Sequence, residues 1–347
     1  MTENKNLNSY LITVFSIVIV LIAWYAIDVL LLTFAAILFA IFLRILNNLI
    51  KKFVHLPDIL SMSLVIGIIF ILFTMTTIFM TPVINEQIHN LSQDIPGAWD
   101  KFKQMLSSTL NLDSVSSIYQ KLNVQNLLPH GKNFLLQAAN IFSSTFGLIG
   151  SLLVVIVMGI FLAYDPKTYK EGFISLIPSS KQEKADNIIE SIGDILQWWV
   201  IGKIFSMFLV GILTLLGLWF LSIPMALTLG LIAAILTFIP NIGPIISAIP
   251  AILIAFTQNP RSALYVIALY SVIQAIEGYI VTPLIQGKTI ALPPALVIFS
   301  QLIMGLLTGF LGLSLATPLL AALSVIIKKS YIENNTNKII TKESNLY

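Results

Sequence analysis

The amino-acid sequence predicts an all-α, polytopic integral membrane protein with about eight hydrophobic segments, two of them broken or re-entrant, plus amphipathic extramembrane helices. The first observation is composition, because 57% of the 347 residues are hydrophobic and 10% are charged. Soluble domains carry roughly 25% charged residues, and the mean hydropathy here is +0.93. The second observation is a pair of apolar segments, 224–256 and 293–327. Both exceed the ~20 residues that a helix needs to cross a bilayer, and both contain prolines and glycines.

Charge and cysteine content exclude several classes of function. The net charge of +3 is small, and the lysines lie mostly at the ends of apolar runs, where membrane topology explains them. The chain has no cysteine, which excludes disulfides, thiolate catalysis and cysteine metal sites. Its three histidines lie in unrelated segments without metal-ligand spacing. We therefore expect the lipid bilayer as a partner, and no metal, cofactor or nucleic acid.

The N-terminal part, residues 1–82, is predicted to hold transmembrane helices. The first apolar run lacks a small-residue cleavage site at its far end, so we interpret it as a retained span. One helix covering 11–43 would overshoot the bilayer, and two short spans meeting near Asp28 fit the length better. A third span, 59–80, ends at Thr81-Pro82. The more polar residues 83–140 are predicted to form an extramembrane amphipathic region.

The rest of the chain alternates apolar segments with a polar connector. A transmembrane helix over 141–164 ends at Asp165-Pro166, and 165–199 is predicted to be a cytoplasmic amphipathic connector. Residues 200–328 form a C-terminal transmembrane core, in which spans 200–221 and 262–282 each precede one of the two broken segments. A polar tail, 329–347, ends the chain.

The distribution of lysine and arginine predicts the topology. Eight crossings from a cytoplasmic N-terminus place most basic loops inside the cell and leave the C-terminus there too. If each broken segment is instead a re-entrant hairpin, Arg261 moves outside and Lys288 moves inside. Because the two topologies differ by one basic residue on each side, the charge distribution leaves both of them open.

The two broken segments resemble each other in sequence. Pro224-Met-Ala-Leu aligns with Pro293-Pro-Ala-Leu, and Pro250 and Pro318 follow at nearly equal distances. This spacing suggests two related units, each a span followed by a broken helix. Chance recurrence in Leu/Ala-rich sequence is the alternative.

The first break is the leading candidate for a substrate or ion pathway. Pro240 and Pro244 each remove a backbone donor, Gly243 gives backbone freedom, and Asn241 supplies an amide. Together they can expose carbonyl groups and a half-helix N-terminus to a ligand. The alternative is an ordinary surface turn between two spans.

Glu277 is the second pathway candidate, with Gln274 one turn earlier and Gly278 beside it. An ionised carboxylate in lipid is costly, so such a residue normally faces a cavity, a partner or the bundle interior. The alternative is a structural hydrogen bond to a neighbouring helix. Lys203 is predicted to extend to the interface beside Trp199.

Other prolines and glycines are candidates for helix breaks or close packing. Glycines four residues apart allow two helices to approach closely. The candidates are Pro250, Pro283, Gly305, Gly309, Gly312 and Pro318.

An enzymatic role is not expected. Gly287-Lys288-Thr289 resembles the end of a P-loop, but Thr282 occupies the position of the required upstream glycine.

The whole pattern resembles the autoinducer-2 exporter (AI-2E) family of bacterial permeases. The resemblance lies in Pro240-Asn241-Ile-Gly243-Pro244, Pro250, Gln274, Glu277-Gly278, Pro283, Gly287-Lys288 and the glycine run ending at Pro318. It implies about eight hydrophobic segments in the bacterial cytoplasmic membrane and homo-oligomers. Some members are described as exporters of the quorum-sensing signal autoinducer-2, and others as sodium/proton antiporters.

Three functions remain open from the sequence. The first is a secondary exporter of a small polar solute, with autoinducer-2 as a candidate, working by alternating access around the breaks. The second is a cation/proton antiporter that uses Glu277 as the exchanging carboxylate. The third is a non-transporting membrane scaffold with 83–140 and 165–200 as docking surfaces.

Overall fold

The computed structural model describes residues 3–78, 81, 145–283 and 292–332, with the side chains of 26–78, 81, 150–283 and 292–330. These ranges contain helices and no strands, which confirms the predicted all-α class. Nine helices are described: α1 (Glu3–Phe53), α2 (Asp58–Ile78), α3 (Thr145–Tyr164), α4 (Pro166–Ser175), α5 (Ser179–Phe220), α6 (Ala226–Leu236), α7 (Ile242–Gln258), α8 (Pro260–Ile276) and α9 (Pro294–Ile327). Two π-helical turns, Glu277–Val281 and Lys328–Ile332, extend α8 and α9.

Several helices are long and apolar enough to cross a membrane. Within the described ranges there are five, or up to six if the bent pair α3–α4 counts as one span. The five are Ala26–Phe53 of α1, α2, α5, Pro260–Val281 and Pro294–Ser330. The predicted region 83–140, the Gly287-Lys288-Thr289 loop and the tail beyond residue 332 lie outside the described residues.

The prediction of two short spans meeting near Asp28 is wrong. α1 is one helix of 51 residues, about 77 Å long at 1.5 Å per residue, and it continues through Asp28. Residues 3–53 contain neither proline nor glycine. A single exposed aspartate costs a helix less than about 1 kcal/mol, which is too little to break one this long.

Arg44 joins the N-terminal helices. Its Nε donates to the carbonyl of Ala163 at 2.6 Å and its Nη2 to that of Tyr164 at 3.0 Å, at the C-terminal end of α3. Its Nη1 lies 3.3 Å from the Asp58 carboxylate at the start of α2. The last carbonyls of a helix have no partner within it, and a basic side chain satisfies them well.

The predicted end of the fourth span at Asp165-Pro166 is confirmed. α3 and α4 are bent by 89° there. The Asp165 carboxylate caps α4 by accepting from the amide of Thr168 at 3.2 Å, and Pro166 occupies the first turn. Proline fits this position because its missing N–H would have no helical partner.

α5 is the central helix of the C-terminal half. It packs against α1, α6, α8 and α9, and it runs without interruption across residue 199. Residues 179–199 of the predicted amphipathic connector and residues 200–220 of the predicted span that follows are therefore parts of one helix, while the start of the connector forms α4. Near its N-terminal end, α5 is tied to the end of α9, because Lys329 Nζ donates to the carbonyl of Asn187 at 3.1 Å.

Both broken segments predicted from the sequence are broken in the structure. Segment 224–256 forms α6 and α7 with a turn between them, while α9 is interrupted at Gly309. Pro250 and Pro318 lie inside α7 and α9 without ending them. Pro283 is exposed just after the π-helical turn of α8.

Candidate functional site

The first break is a strained turn centred on Asn241. Asn241 has φ 64° and ψ −49°, and the amide of Ile242 donates to the carbonyl of Pro240 at 2.7 Å. This is a three-residue γ-turn with positive central φ, a rare conformation. Such backbone costs about 1–3 kcal/mol and tends to occur at functional sites. The Asn241 side chain is exposed and does not cap α7.

Gly243 is required by the close approach of α6 and α7. A Cβ added at this position would overlap the carbonyl oxygen of Leu236, the last residue of α6. Gly243 and Pro244 are both buried. The first break is therefore packed against α6 on the side of Gly243 and Pro244, while its central residue, Asn241, is exposed.

The second broken segment is hydrogen-bonded to the first break. Gln301 of α9 is fully buried, and its Nε2 donates to the carbonyl of Pro240 at 3.0 Å. That carbonyl also accepts from the amide of Ile242, so both of its lone pairs have donors. The two broken segments thus meet directly, which the sequence did not reveal.

Sequence reasoning missed Gln301, although a signal was available. Gln301 is the one side-chain amide in the apolar stretch PALVIFSQLIM. Burying a polar side chain in such a stretch costs free energy unless it has a hydrogen-bond partner. Its amide oxygen Oε1 is buried and has no hydrogen-bond partner among the described residues.

The second break depends on glycine for two different reasons. Gly309 has φ 64° and ψ −141°, a conformation that essentially only glycine adopts. At Gly312, a Cβ would overlap the Thr308 hydroxyl and the Met304 carbonyl, so its absence accommodates the kink. Gly305 is half-buried, and an added Cβ there would make ordinary contact with Leu313.

The two breaks share one spacing. Asn241 precedes Pro250 by nine residues, and Gly309 precedes Pro318 by nine residues. In each segment, a positive-φ residue is followed by helix that continues through a proline nine residues later. This agreement supports the predicted repeat, which stays a prediction.

Glu277 is buried and paired with a lysine. Its Oε1 lies 3.8 Å from Lys203 Nζ, and its Oε2 accepts from Gln274 Nε2 at 3.4 Å. Lys203 is 8% exposed and Glu277 is 7% exposed. The prediction that Lys203 extends to the interface is wrong, because its helix α5 packs against the π-helical turn that begins at Glu277. Gln274 and Gly278 are exposed.

α5 connects the ion pair to the first break. Trp199 lies one turn before Lys203 on the same face of the helix. Its ring meets Phe238 edge-on, with centroids 5.7 Å apart, in the turn that follows α6. Within the described part of the chain, no hydrogen bond or ion pair joins Glu277 directly to Pro240 or Asn241. The pathway candidates therefore form two centres, the break with Gln301 and the pair Lys203–Glu277, and one face of α5 contacts both through Trp199 and Lys203.

Comparison with known proteins identifies the family of the chain. Residues 13–332 match the family described as AI-2E family transporter. The chain is 27% identical over 307 residues to "Putative transport protein YueF" of Bacillus subtilis (strain 168), covering 83% of this chain and 80% of the relative. It is 25% identical over 295 residues to "AI-2 transport protein TqsA" of Escherichia coli (strain K12), covering 82% of each. The protein belongs to the AI-2E transporter family.

Proposed function

We propose that this protein is a secondary transporter that exports a small polar solute across the bacterial cytoplasmic membrane, with autoinducer-2 as the first solute to test. The observation that carries the proposal is the buried hydrogen bond from Gln301 to the Pro240 carbonyl. It places the break of one apolar segment against the first half of the other. Paired broken helices of this kind commonly form the substrate site of secondary transporters. One relative in the same family is named an AI-2 transport protein.

Helix breaks point to a substrate pathway because free backbone groups are energetically costly at membrane depth. Each unsatisfied N–H or C=O group in hydrocarbon costs several kcal/mol. A broken helix therefore persists only where protein or a polar cavity supplies partners. Here Gln301 supplies one of them, and half-helices joined at Asn241 and Gly309 can move as separate bodies during alternating access.

The topology belongs to this proposal. With both termini in the cytoplasm, the basic residues of the connector, such as Lys170 and Lys184, lie on the cytoplasmic side. The homo-oligomer implied by the family resemblance stays a prediction.

Transport in inverted membrane vesicles tests the proposal. We expect vesicles containing the protein to accumulate autoinducer-2 above the level of empty vesicles. Q301M should lower the rate about tenfold, since about 1.4 kcal/mol corresponds to that factor and one hydrogen bond contributes about that much. Q258M is the matched control, because Gln258 also donates to a backbone carbonyl, that of Ser222, but at an exposed helix end. Equal accumulation in empty vesicles and in vesicles with the wild-type protein would refute the autoinducer-2 proposal.

The pair Lys203–Glu277 favours a second candidate, cation/proton antiport. A buried carboxylate whose partner is a movable lysine can exchange that partner for a cation or a proton. We expect E277Q to abolish sodium-dependent proton flux in vesicles if this function is correct. E190Q, which alters an exposed carboxylate on α5, should leave the flux unchanged. Intact flux in E277Q would rule out Glu277 as the exchanging group.

A further inference from the structure

Gln301 has an unused hydrogen-bonding atom at the place where the two broken segments meet. Its Nε2 is committed to the Pro240 carbonyl, whereas its Oε1 is buried and has no partner among the described residues. A buried amide oxygen without a partner costs about 1–3 kcal/mol. A fully buried glutamine that keeps one such atom is therefore expected to meet a donor in another state of the protein.

The chemistry of the remaining atoms limits what can bind. The Pro240 carbonyl already accepts from two donors, so it has little capacity for a ligand. Thr237, in the same turn, donates its hydroxyl to the carbonyl of Ala233 at 2.6 Å. The described side chains at the break are uncharged, and the charges of Lys203 and Glu277 compensate each other in a separate pair.

A cation is a poor occupant of this position. Hard cations such as Ca²⁺ and Mg²⁺ take six or more oxygen ligands, and among the described residues at the break only Gln301 has a buried side-chain oxygen without a partner. A hydroxyl or amide N–H group needs one acceptor only. The geometry therefore favours a neutral solute that carries a hydrogen-bond donor.

We infer that Gln301 contacts the transported solute, with its Oε1 accepting a hydrogen bond from a hydroxyl group of a neutral hydroxylated molecule. The inference rests on the proposed function, and it names a residue and a chemical class for the site. Gln301 then has two tasks: Nε2 holds the break in position, and Oε1 recognises the solute. Alternating access would open Gln301 to water on one side of the membrane at a time.

Cysteine labelling tests this inference without knowledge of the natural solute, because the chain contains no cysteine. We expect Q301C in reconstituted vesicles to react with a membrane-impermeant thiol reagent. Autoinducer-2, glycerol or ribitol should slow the reaction at least threefold, whereas sodium chloride at equal osmolarity should not. Q258C, exposed at the end of α7, should react at a rate that none of these solutes changes.

A second variant guards against misfolding of Q301C, which loses the bond to Pro240. Val297 lies one turn earlier on the same face and is buried, so V297C keeps the Gln301 amide. We expect the same labelling and the same protection. Absence of labelling in folded V297C and Q301C would overturn the inference, and so would labelling that no hydroxylated probe slows or that sodium chloride slows instead. Failure of autoinducer-2 transport by the wild-type protein is a separate result, since labelling and protection by glycerol or ribitol do not depend on it.

Discussion

Replacing Lys203 by methionine should destabilise the protein strongly. The change leaves Glu277 buried without its cation, and breaking a buried pair from one side typically costs about 3–5 kcal/mol. The attraction calculated from the observed distance is similar to this cost. Two unit charges 3.8 Å apart attract by about 4 kcal/mol at an effective dielectric constant of about 20. E277Q should be milder than K203M, since its side-chain amide can still hydrogen-bond to Gln274.

The coupling between the two residues is the sharper quantity. If Lys203 and Glu277 interact as described, K203M and E277Q each lower the free energy of unfolding. The sum of these two losses should exceed the loss in the double variant by about 2–4 kcal/mol. The assay is reversible unfolding by sodium dodecyl sulfate in mixed micelles. K170M is the control, because Lys170 pairs with Asp186 and Glu190 at the surface, where ion pairs contribute about 0–1 kcal/mol. Additive losses, with coupling below about 0.5 kcal/mol, would refute the buried pair.

Three further predictions concern backbone and caps. G243A should unfold or inactivate the protein, because its Cβ would overlap a carbonyl of α6, whereas G193A, which has open space, should keep or raise the unfolding midpoint. G309A should lower the transport rate and the midpoint by forcing a side chain into a conformation that costs about 1–3 kcal/mol. The pKa of Asp165 is lowered by hydrogen bonds from the hydroxyl and amide of Thr168. The contribution of this cap to the stability of α4 is therefore present above about pH 4, and it is lost as the pH falls through the lowered pKa. D165N should keep the cap and remove this acid sensitivity, measured as amide protection in the first turn of α4 corrected for intrinsic exchange rates.

Local features of the structure were predictable from the sequence. Proline and glycine act on their own backbone, so the breaks near Asn241 and Gly309 and the corner at Asp165-Pro166 follow from short stretches of sequence. Asp28 was misinterpreted because overall length was given more weight than the absence of helix-breaking residues.

Contacts between distant helices were not predictable from one sequence. The partners Lys203 and Glu277 lie on α5 and at the end of α8, and no periodicity links them. Gln301 and Pro240 are 61 residues apart. A single amide in an apolar segment shows that a partner is needed, but it does not show which backbone group supplies it.

In the proposed mechanism, the solute crosses the membrane where the two broken segments meet. The most direct test is the accessibility of N241C in vesicles during autoinducer-2 transport, with V272C on the exposed face of α8 as a lipid-facing control. We predict that impermeant thiol reagents reach N241C from both sides of the membrane in turn, that autoinducer-2 slows them, and that V272C reacts only with lipid-soluble reagents. Reaction of N241C with lipid-soluble reagents alone, in vesicles that still transport, would contradict the claim.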